Sequence, residues 1–241
     1  MPTMNFKKLA REFWMNGYLL IEDFFDPDLM NEYQQLILQH FGQNPEFLHN
    51  KEFLQQAATE VVPWFPQQEG VKAFDTVEND PDLKALTGAI LGRDWYSLYA
   101  MSMFSGEGTK GQAWHLDCLP ENPAVFNLNR LVYTEDILPE FGGEIIVLPG
   151  SHQLGHLSVG PVNEDFDDQL VIAPKKSTLI LLHGHTWHRV LPVTGKYRIS
   201  TNYRAAPKGT PVDVTDTAVY RNIIYRFSSS TIIEDRLARE K

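Results

Sequence analysis

The sequence predicts a mainly β protein with flanking helices, in which a helical front third packs on an antiparallel sandwich or barrel. Before about residue 95, apolar residues recur at helical spacing. From about residue 95, the chain consists of short aromatic and β-branched runs separated by Gly, Pro and Asn. Because no helical pattern alternates with these runs, an antiparallel core is favoured over a parallel βαβ sheet.

Three segments of the front third have the spacing of amphipathic helices: residues 5–16, 28–42 and 80–92. The tripeptide Asp-Pro-Asp precedes the second and the third of them, which is a helix start signal with proline near the first helical position. The run GYLLIEDFF between the first two helices favours a short strand.

The strands of the core are predicted in the runs WYSLYAMSMF, VFNLNRLVYTEDI, GEIIVLPG, STLILLHG and YRISTNYRA. No repeat or linker composition divides the chain, so we expect one domain over residues 1–241. Its parts are a helical front over 1–94, a β core over 95–206 and a C-terminal extension over 207–241. The more charged segment 214–241 fits either a helix or a flap.

Composition excludes several classes of protein. The chain has 241 residues with a formal net charge of −10, which disfavours sequence-independent nucleic-acid binding and a polybasic membrane anchor. Its single cysteine, Cys118, permits no intramolecular disulfide and no cysteine-based zinc site. The N-terminal segment reads as neither a signal peptide nor a transmembrane helix. We therefore expect a cytoplasmic protein with a small-molecule partner, while the oligomeric state stays open.

The tripeptide His115-Leu116-Asp117 is the first candidate site. On a strand, the period of two places His115 and Asp117 on the same face, where an imidazole and a carboxylate can bind one cation. A hydrogen-bonded His/Asp pair without a metal is the alternative, because this pattern is common by chance.

A second candidate is the run HGHTWH, which carries His183, His185 and His188 after an apolar strand. One of these histidines combined with His115 and Asp117 would form a two-histidine, one-carboxylate set that leaves one side of a ferrous ion open. A zinc site with the same ligands is also chemically allowed.

Arg198 lies ten residues after His188, and Ser200 shares its strand face. A guanidinium beside a hydroxyl is suited to hold a carboxylate. The alternative for Arg198 is an ion pair with a surface acid.

The ordered motifs WHLD, TEDI, FGGEIIVLPGSH and WHRVLPVTGKYR resemble the iron(II)/2-oxoglutarate-dependent oxygenases of the phytanoyl-CoA dioxygenase-like family. The N-terminal segment FWMNGYLLIEDFFDPDLMNEYQQLI is similar to the opening helix, strand and second helix of that family. The likeness covers roughly residues 5–206. It implies a double-stranded β-helix, a cupin-like jelly roll with the metal inside one mouth of the barrel.

The resemblance also assigns residues. It implies that His115, Asp117 and His188 bind iron(II), and that Arg198 and Ser200 hold the remote carboxylate of 2-oxoglutarate. Two further cosubstrate contacts are expected at Gln112, where some family members place a polar side chain, and at Ser102 on the preceding strand. His183 and His185 remain alternatives for the distal ligand.

By the same resemblance, the reaction consumes O2 and 2-oxoglutarate, releases succinate and CO2, and hydroxylates or otherwise oxidises a C–H bond. Halogenating relatives lack the carboxylate that Asp117 provides, so hydroxylation is favoured. We expect a small metabolite as substrate, such as an amino acid derivative or a natural-product intermediate. Its contacts are expected from segment 43–75 with Trp64 and Phe65, from Arg130 or Trp187, or from the tail after residue 206. The alternatives are a metal-dependent hydrolase or isomerase on the same jelly roll and a non-catalytic ligand-binding protein.

Overall fold

The computed structural model describes residues 4–43, 61–211, 216–221, 223–226 and 235–238. Its helices are α1 Phe6–Asn16, α2 Pro27–Gln43, α3 Asp75–Glu78 and α4 Pro81–Leu91, with short 3-10 turns at Lys72–Phe74, Pro139–Phe141 and Ser151–Gln153. The three helices expected from the sequence are thus confirmed. In the part of the chain described here, no helix combines the length and the apolar character needed to cross a membrane.

The helix start signals act as the sequence predicts. The Asp26 carboxylate accepts hydrogen bonds from the backbone N–H groups at the start of α2, and Asp80 does the same for Leu83 at the start of α4. Helix α1 ends at Gly17, whose φ of +76° is the left-handed conformation that glycine tolerates best.

The strands form two antiparallel sheets. They are β1 Tyr18–Ile21, β2 Val62–Trp64, β3 Tyr96–Gly106, β4 Gln112–Leu116, β5 Leu128–Val132, β6 Ile145–Val147, β7 Leu170–Ile172, β8 Leu179–His183, β9 His188–Val190, β10 Tyr197–Ala206, β11 Thr217–Tyr220, β12 Ile223–Arg226 and β13 Asp235–Ala238. The described strands follow the order β1-β8-β5-β10-β3-β2 in the first sheet and β13-β12-β11-β4-β9-β6-β7 in the second.

Alternation of side chains gives the first sheet two apolar faces. The face that carries Leu128, Leu181 and Tyr203 packs against the helices of the front third. The opposite face, with Leu131 and Leu182, packs against Ile145 of the second sheet. The interior between the two sheets is therefore apolar over part of its area, and the rest of it forms the cavity described below.

The sheets extend beyond the predicted boundaries of the β core. Strand β1 lies in the helical front, yet it pairs with β8 along its whole length. Strand β11 lies in the C-terminal extension and pairs with β4, so the described part of that extension is neither a helix nor a separate flap. The cause is tertiary, because β1 forms the edge of the first sheet and β11 lies between β12 and β4 in the second, and both β8 and β4 are distant from them in sequence. The single domain itself stays a prediction.

Candidate active site

Two histidines and one aspartate converge on adjacent strands of the second sheet. His115 on β4 is directly opposite His188 on β9, and Asp117 follows the end of β4. The Nε2 atom of His188 lies 3.5 Å from Asp117 Oδ2, and Nε2 of His115 lies 4.0 Å from Asp117 Oδ1. One donor atom of each residue lies within 4.8 Å of the others, which is the spacing of three ligands around one metal ion.

Backbone carbonyls fix the orientation of both imidazole rings. The Nδ1 atom of His115 lies 2.8 Å from the carbonyl oxygen of Ala113, and Nδ1 of His188 lies 2.9 Å from that of Thr186. Because a carbonyl only accepts, each Nδ1 carries the proton and each Nε2 presents a lone pair to the site. Burial, with His188 nearby, lowers the pKa of His115 to about 3, so that ring is neutral and available as a ligand.

Both carboxylate oxygens of Asp117 accept hydrogen bonds from buried side chains. Arg204 Nη2 donates to Oδ1 at 2.7 Å, and Asn129 Nδ2 donates to Oδ2 at 2.8 Å. Burial by itself would raise the pKa of Asp117, but Arg204, the two histidines and Asn129 outweigh it, so the pKa lies below its ordinary value. Asp117 is therefore an ionised carboxylate held in one orientation.

Strand β10 presents Arg198 and Ser200 on the same face, as the period of two predicts. The guanidinium of Arg198 is buried and donates to the Gly143 carbonyl at 2.8 Å, to Ser200 Oγ at 3.1 Å and to the Tyr133 hydroxyl at 3.2 Å. All three partners are neutral, and among the described residues no carboxylate pairs with Arg198. A buried cation with only neutral partners is favourable mainly when an anion joins it.

Gly143 allows this arrangement of Arg198. Its φ is +84°, and a Cβ atom at this position would lie 3.0 Å from Arg198 Cδ. Any larger residue would be strained by the backbone and would also press on the arginine stem. The Gly-Gly turn at 142–143 thus positions the guanidinium.

Gln112 lies on the same cavity wall as His115, although it is three positions before it in the sequence. In a regular strand, that separation would place them on opposite faces. The register shifts between Gln112 and His115, since three steps on β4 match two steps on β9. This bulge returns Gln112 to the cavity.

Ser102 does not line the cavity, so the cosubstrate contact expected of it is wrong. It lies opposite Thr201 on β10, and the two hydroxyls are 2.9 Å apart. The period of two then places Ser102 on the sheet face opposite Arg198 and Ser200, away from the cavity. Its strand neighbours Met101 and Met103 line the cavity in its place.

The other two histidines of the HGHTWH run are remote from the triad. The ring of His183 stacks on Phe126 with centroids 4.1 Å apart, and Nε2 of His185 lies 3.0 Å from the Leu119 carbonyl. Of the three candidates for the distal position, the structure brings only His188 to His115 and Asp117.

A cavity between the two sheets joins the triad to Arg198. Phe65, Met101 and Met103 provide apolar walls, and Tyr220 on β11 stacks on the ring of His115 with centroids 5.2 Å apart. The lining residues are Val61, Pro63, Phe65, Met101, Met103, Gln112, His115, Asp117, Asn129, Leu131, Ile145, Leu182, His188, Val190, Arg198, Asn202, Arg204, Ala218, Tyr220 and Tyr225.

Some of the residues expected to contact the substrate line this cavity, and others do not. Phe65 lines the cavity, as do Ala218, Tyr220 and Tyr225 from the tail after residue 206. Trp64 instead packs in the helical core, Trp187 is buried in another cluster, and Arg130 is paired with Glu78. Residues 44–60 of segment 43–75 lie outside the described residues.

The comparison with protein families decides the relationship. Residues 13–200, well over half of the chain, match the family described as Phytanoyl-CoA dioxygenase (PhyH). The chain belongs to the PhyH family. No curated protein matches the chain.

Solved structures agree with the PhyH assignment at the level of the fold. The epimerase SnoN, in complex with Fe3+, alpha-ketoglutarate and nogalamycin RO, is 18% identical with a TM-score of 0.65 and covers 90% of this chain and 86% of its own. HygX from Streptomyces hygroscopicus with nickel and 2-oxoglutarate bound is 14% identical with a TM-score of 0.67 and covers 86% of this chain and 89% of its own. HygX with hygromycin B also bound has a TM-score of 0.62 at 13% identity, with coverages of 84% and 87%.

These findings confirm the expected family and the mainly β, jelly-roll fold. The Fe3+ of the SnoN structure, and the 2-oxoglutarate that it shares with the nickel-bound HygX structure, agree with the cofactors that the sequence predicts for a PhyH-family chain. Sequence reasoning missed Asn129, Arg204 and Tyr220. Arg204 had a usable signal, because it is six residues after Arg198 and so shares its strand face, whereas Asn129 and Tyr220 lie on strands far away in sequence.

Proposed function

We propose that this PhyH-family chain is an iron(II)- and 2-oxoglutarate-dependent oxygenase that hydroxylates, or otherwise oxidises, a C–H bond of a small metabolite. One observation carries the proposal. Two imidazole Nε2 atoms and the Asp117 carboxylate converge on the same cavity as the buried guanidinium of Arg198, which has only neutral partners among the described residues.

His115, Asp117 and His188 would hold the iron. The residues fit this ion, because two neutral imidazoles and one ionised carboxylate form the ligand set of non-haem iron(II) oxygenases. Iron(II) bound there, with 2-oxoglutarate and O2, supplies a two-electron oxidation of the substrate coupled to the formation of succinate and CO2. The carbonyl contacts at each Nδ1 keep both rings oriented toward the ion.

Arg198 and Ser200 would hold the remote carboxylate of 2-oxoglutarate. The guanidinium supplies a positive charge and N–H donors in one plane. The Ser200 hydroxyl accepts a hydrogen bond from Arg198 and can donate one to the carboxylate. Tyr133 and the Gly143 carbonyl hold the guanidinium in place. Gln112 offers an amide on the same wall and is proposed as a further cosubstrate contact.

The substrate would occupy the apolar part of the cavity, against Phe65, Met101 and Met103. These side chains exclude water from the reacting centre and bring no competing charge. That the related structures contain nogalamycin RO and hygromycin B supports a small organic molecule as substrate.

The test begins with metal-free protein under anaerobic conditions, to which iron(II) and then 2-oxoglutarate are added. We expect a visible metal-to-ligand charge-transfer band that requires both components and disappears in His188→Ala. His183→Ala is the matched control, since His183 packs on Phe126 rather than in the triad. Admission of O2 should then convert 2-oxoglutarate to succinate.

The outcomes separate the competing functions. Activity with zinc in the absence of O2 would indicate the hydrolase or isomerase, and ligand binding without succinate formation would indicate a binding protein. Product analysis distinguishes a hydroxylase, whose product gains one oxygen atom, from an epimerase like SnoN, whose product has an unchanged mass. Stoichiometric iron without the band contradicts the proposed cosubstrate site.

A further inference from the structure

The cavity face of strand β10 continues beyond Ser200 to a second polar side chain, Asn202. Asn202 is only 2% exposed and lies between Met101 on β3 and Leu131 on β5, its register partners. All three residues line the cavity. An amide is thus buried between two apolar side chains next to the triad.

Hydrogen bonds around Asn129 fix which way the Asn202 amide is turned. Arg204 Nε, which can only donate, lies 2.9 Å from Asn129 Oδ1, and Asn129 Nδ2 donates to the Asp117 carboxylate at 2.8 Å. Asn129 Oδ1 is therefore an acceptor, so Asn202 must present its Nδ2 group to it, at 2.7 Å. The carbonyl oxygen of Asn202 points elsewhere.

That carbonyl oxygen is a buried acceptor without a donor among the described residues. Neither Met101 nor Leu131 has a side-chain donor. 2-Oxoglutarate is a dianion at neutral pH and O2 has no hydrogen, so neither can donate a hydrogen bond. A buried acceptor left without a donor is unfavourable, and a donor group on the molecule that is oxidised would satisfy it.

The charged side chains of the cavity lining indicate which class of molecule can bind there. Apart from the histidines, the charged residues of the described lining are Asp117, Arg198 and Arg204. Arg204 is paired with Asp117, and Arg198 is assigned above to the remote carboxylate of 2-oxoglutarate. No charged side chain of the described lining is left to neutralise a charge on the substrate.

We propose that Asn202 is a specificity-determining residue, whose Oδ1 accepts a hydrogen bond from an N–H or O–H group of an uncharged, largely apolar substrate. This inference rests on the proposed function, because it takes the triad and Arg198 as the sites of iron and 2-oxoglutarate. It adds a chemical class: a neutral molecule that carries a hydrogen-bond donor close to the carbon that is oxidised.

The experiment compares matched probes that differ in a donor. Indole is compared with benzofuran, and 2-phenylethanol with ethylbenzene, on the protein loaded anaerobically with iron(II) and 2-oxoglutarate. Binding is measured from the change that each probe causes in the charge-transfer band. We expect the probe with the donor to bind about tenfold more tightly in each pair.

The variant Asn202→Leu removes the acceptor at similar volume and should bind both members of a pair equally. Ser102→Ala is the control, because it removes a buried hydroxyl from the neighbouring strand on the opposite sheet face. It should keep the tenfold preference. The wild-type comparison is decisive even if Asn202→Leu fails to fold.

Equal affinity for both members of each pair in the wild-type protein would overturn the inference, as would an unchanged preference in a folded Asn202→Leu variant. Binding of none of the four probes would contradict the apolar class. Failure of the charge-transfer band to form before any probe is added counts against the proposed function instead, so the two failures are distinguishable.

Discussion

Among the described residues, two buried groups of histidines have different surroundings. His115 and His188 face each other across two strands, with each Nε2 directed at Asp117 and the cavity. His183 and His185, only three to five residues before His188, lie among aromatic rings and backbone carbonyls. The residue type and the degree of burial are the same in both groups.

The two groups differ in the hydrogen-bond partners of their ring nitrogens. In the triad, Nδ1 is occupied by a backbone carbonyl and Nε2 is left for a ligand. His152 packs beside His183 and belongs to the second group as well. In this group, Nδ1 of His183 accepts a hydrogen bond from the backbone N–H of His185, and Nε2 of His152 contacts the Trp14 carbonyl. In the triad, the carbonyl at each Nδ1 leaves the Nε2 lone pair directed at Asp117 and the cavity, which is the arrangement a metal site needs, and burial alone does not produce it.

The largest effect is expected from removing a ligand of the triad. His188→Ala should lower iron(II) affinity by more than about 100-fold and abolish succinate formation, because two ligands do not hold the ion against water. Equilibrium dialysis under anaerobic conditions measures the affinity. His183→Ala should keep the iron affinity of the wild type, and an equal loss in both variants would erase the contrast between the two groups.

The next effect concerns the guanidinium on the cavity wall. Arg198→Ala should weaken 2-oxoglutarate binding by about 100- to 1000-fold, because it removes a buried charge-assisted contact worth roughly 3–4 kcal/mol. Iron affinity should stay within a few-fold of the wild type. Titration of the charge-transfer band checks both quantities. Normal 2-oxoglutarate binding in this variant would show that the cosubstrate carboxylate lies elsewhere.

A smaller effect is expected at the contacts that orient Asp117. Asn129→Ala removes the hydrogen bond to Oδ2 and should lower iron affinity by about 10- to 100-fold, with the charge-transfer band still formed at saturating iron. Ser102→Ala again serves as the control, since its hydroxyl bonds only to Thr201 among the described residues. Iron affinity unchanged in Asn129→Ala would mean that Arg204 alone holds the carboxylate.

The smallest effect is a pH dependence of stability that arises in the second histidine group. Burial holds the pKa of His183 well below its ordinary value. It also lowers the pKa values of His185 and His152. Below about pH 6.5, the unfolded chain therefore binds protons that the folded chain excludes. The free energy of unfolding is therefore highest above this pH. It falls as the pH is lowered, by up to about 1.4 kcal/mol per pH unit for each histidine.

Denaturant titrations between pH 7.5 and 5 measure this slope. His183→Phe keeps an aromatic ring against Phe126 but cannot be protonated. The fall of the unfolding free energy with decreasing pH should therefore lose the contribution of one histidine. Wild type and variant must carry the same metal content, so that the triad contributes equally to both. Identical slopes would mean that His183 is protonated in the folded protein.

Local signals explain which parts could be predicted. The starts of α2 and α4 were predictable because Asp26 and Asp80 cap them through bonds to residues two or three positions away. The pairing of Arg198 with Ser200 was predictable because a strand repeats every two residues. Ser102 was placed incorrectly for a related reason, since its face depends on its register opposite Thr201, which no local pattern encodes.

The sequence alone determined the family through its ordered motifs, the helices through their caps, and the candidate ligands through their residue types. The tertiary structure decided which histidine joins His115 and Asp117, because β9 is registered against β4 and places His188 there. It also brought Asn129, Asn202 and Arg204 around the aspartate from two strands that are more than 60 residues apart in sequence. Contacts of this kind depend on strand pairing between distant segments, which hydrophobic periodicity does not specify.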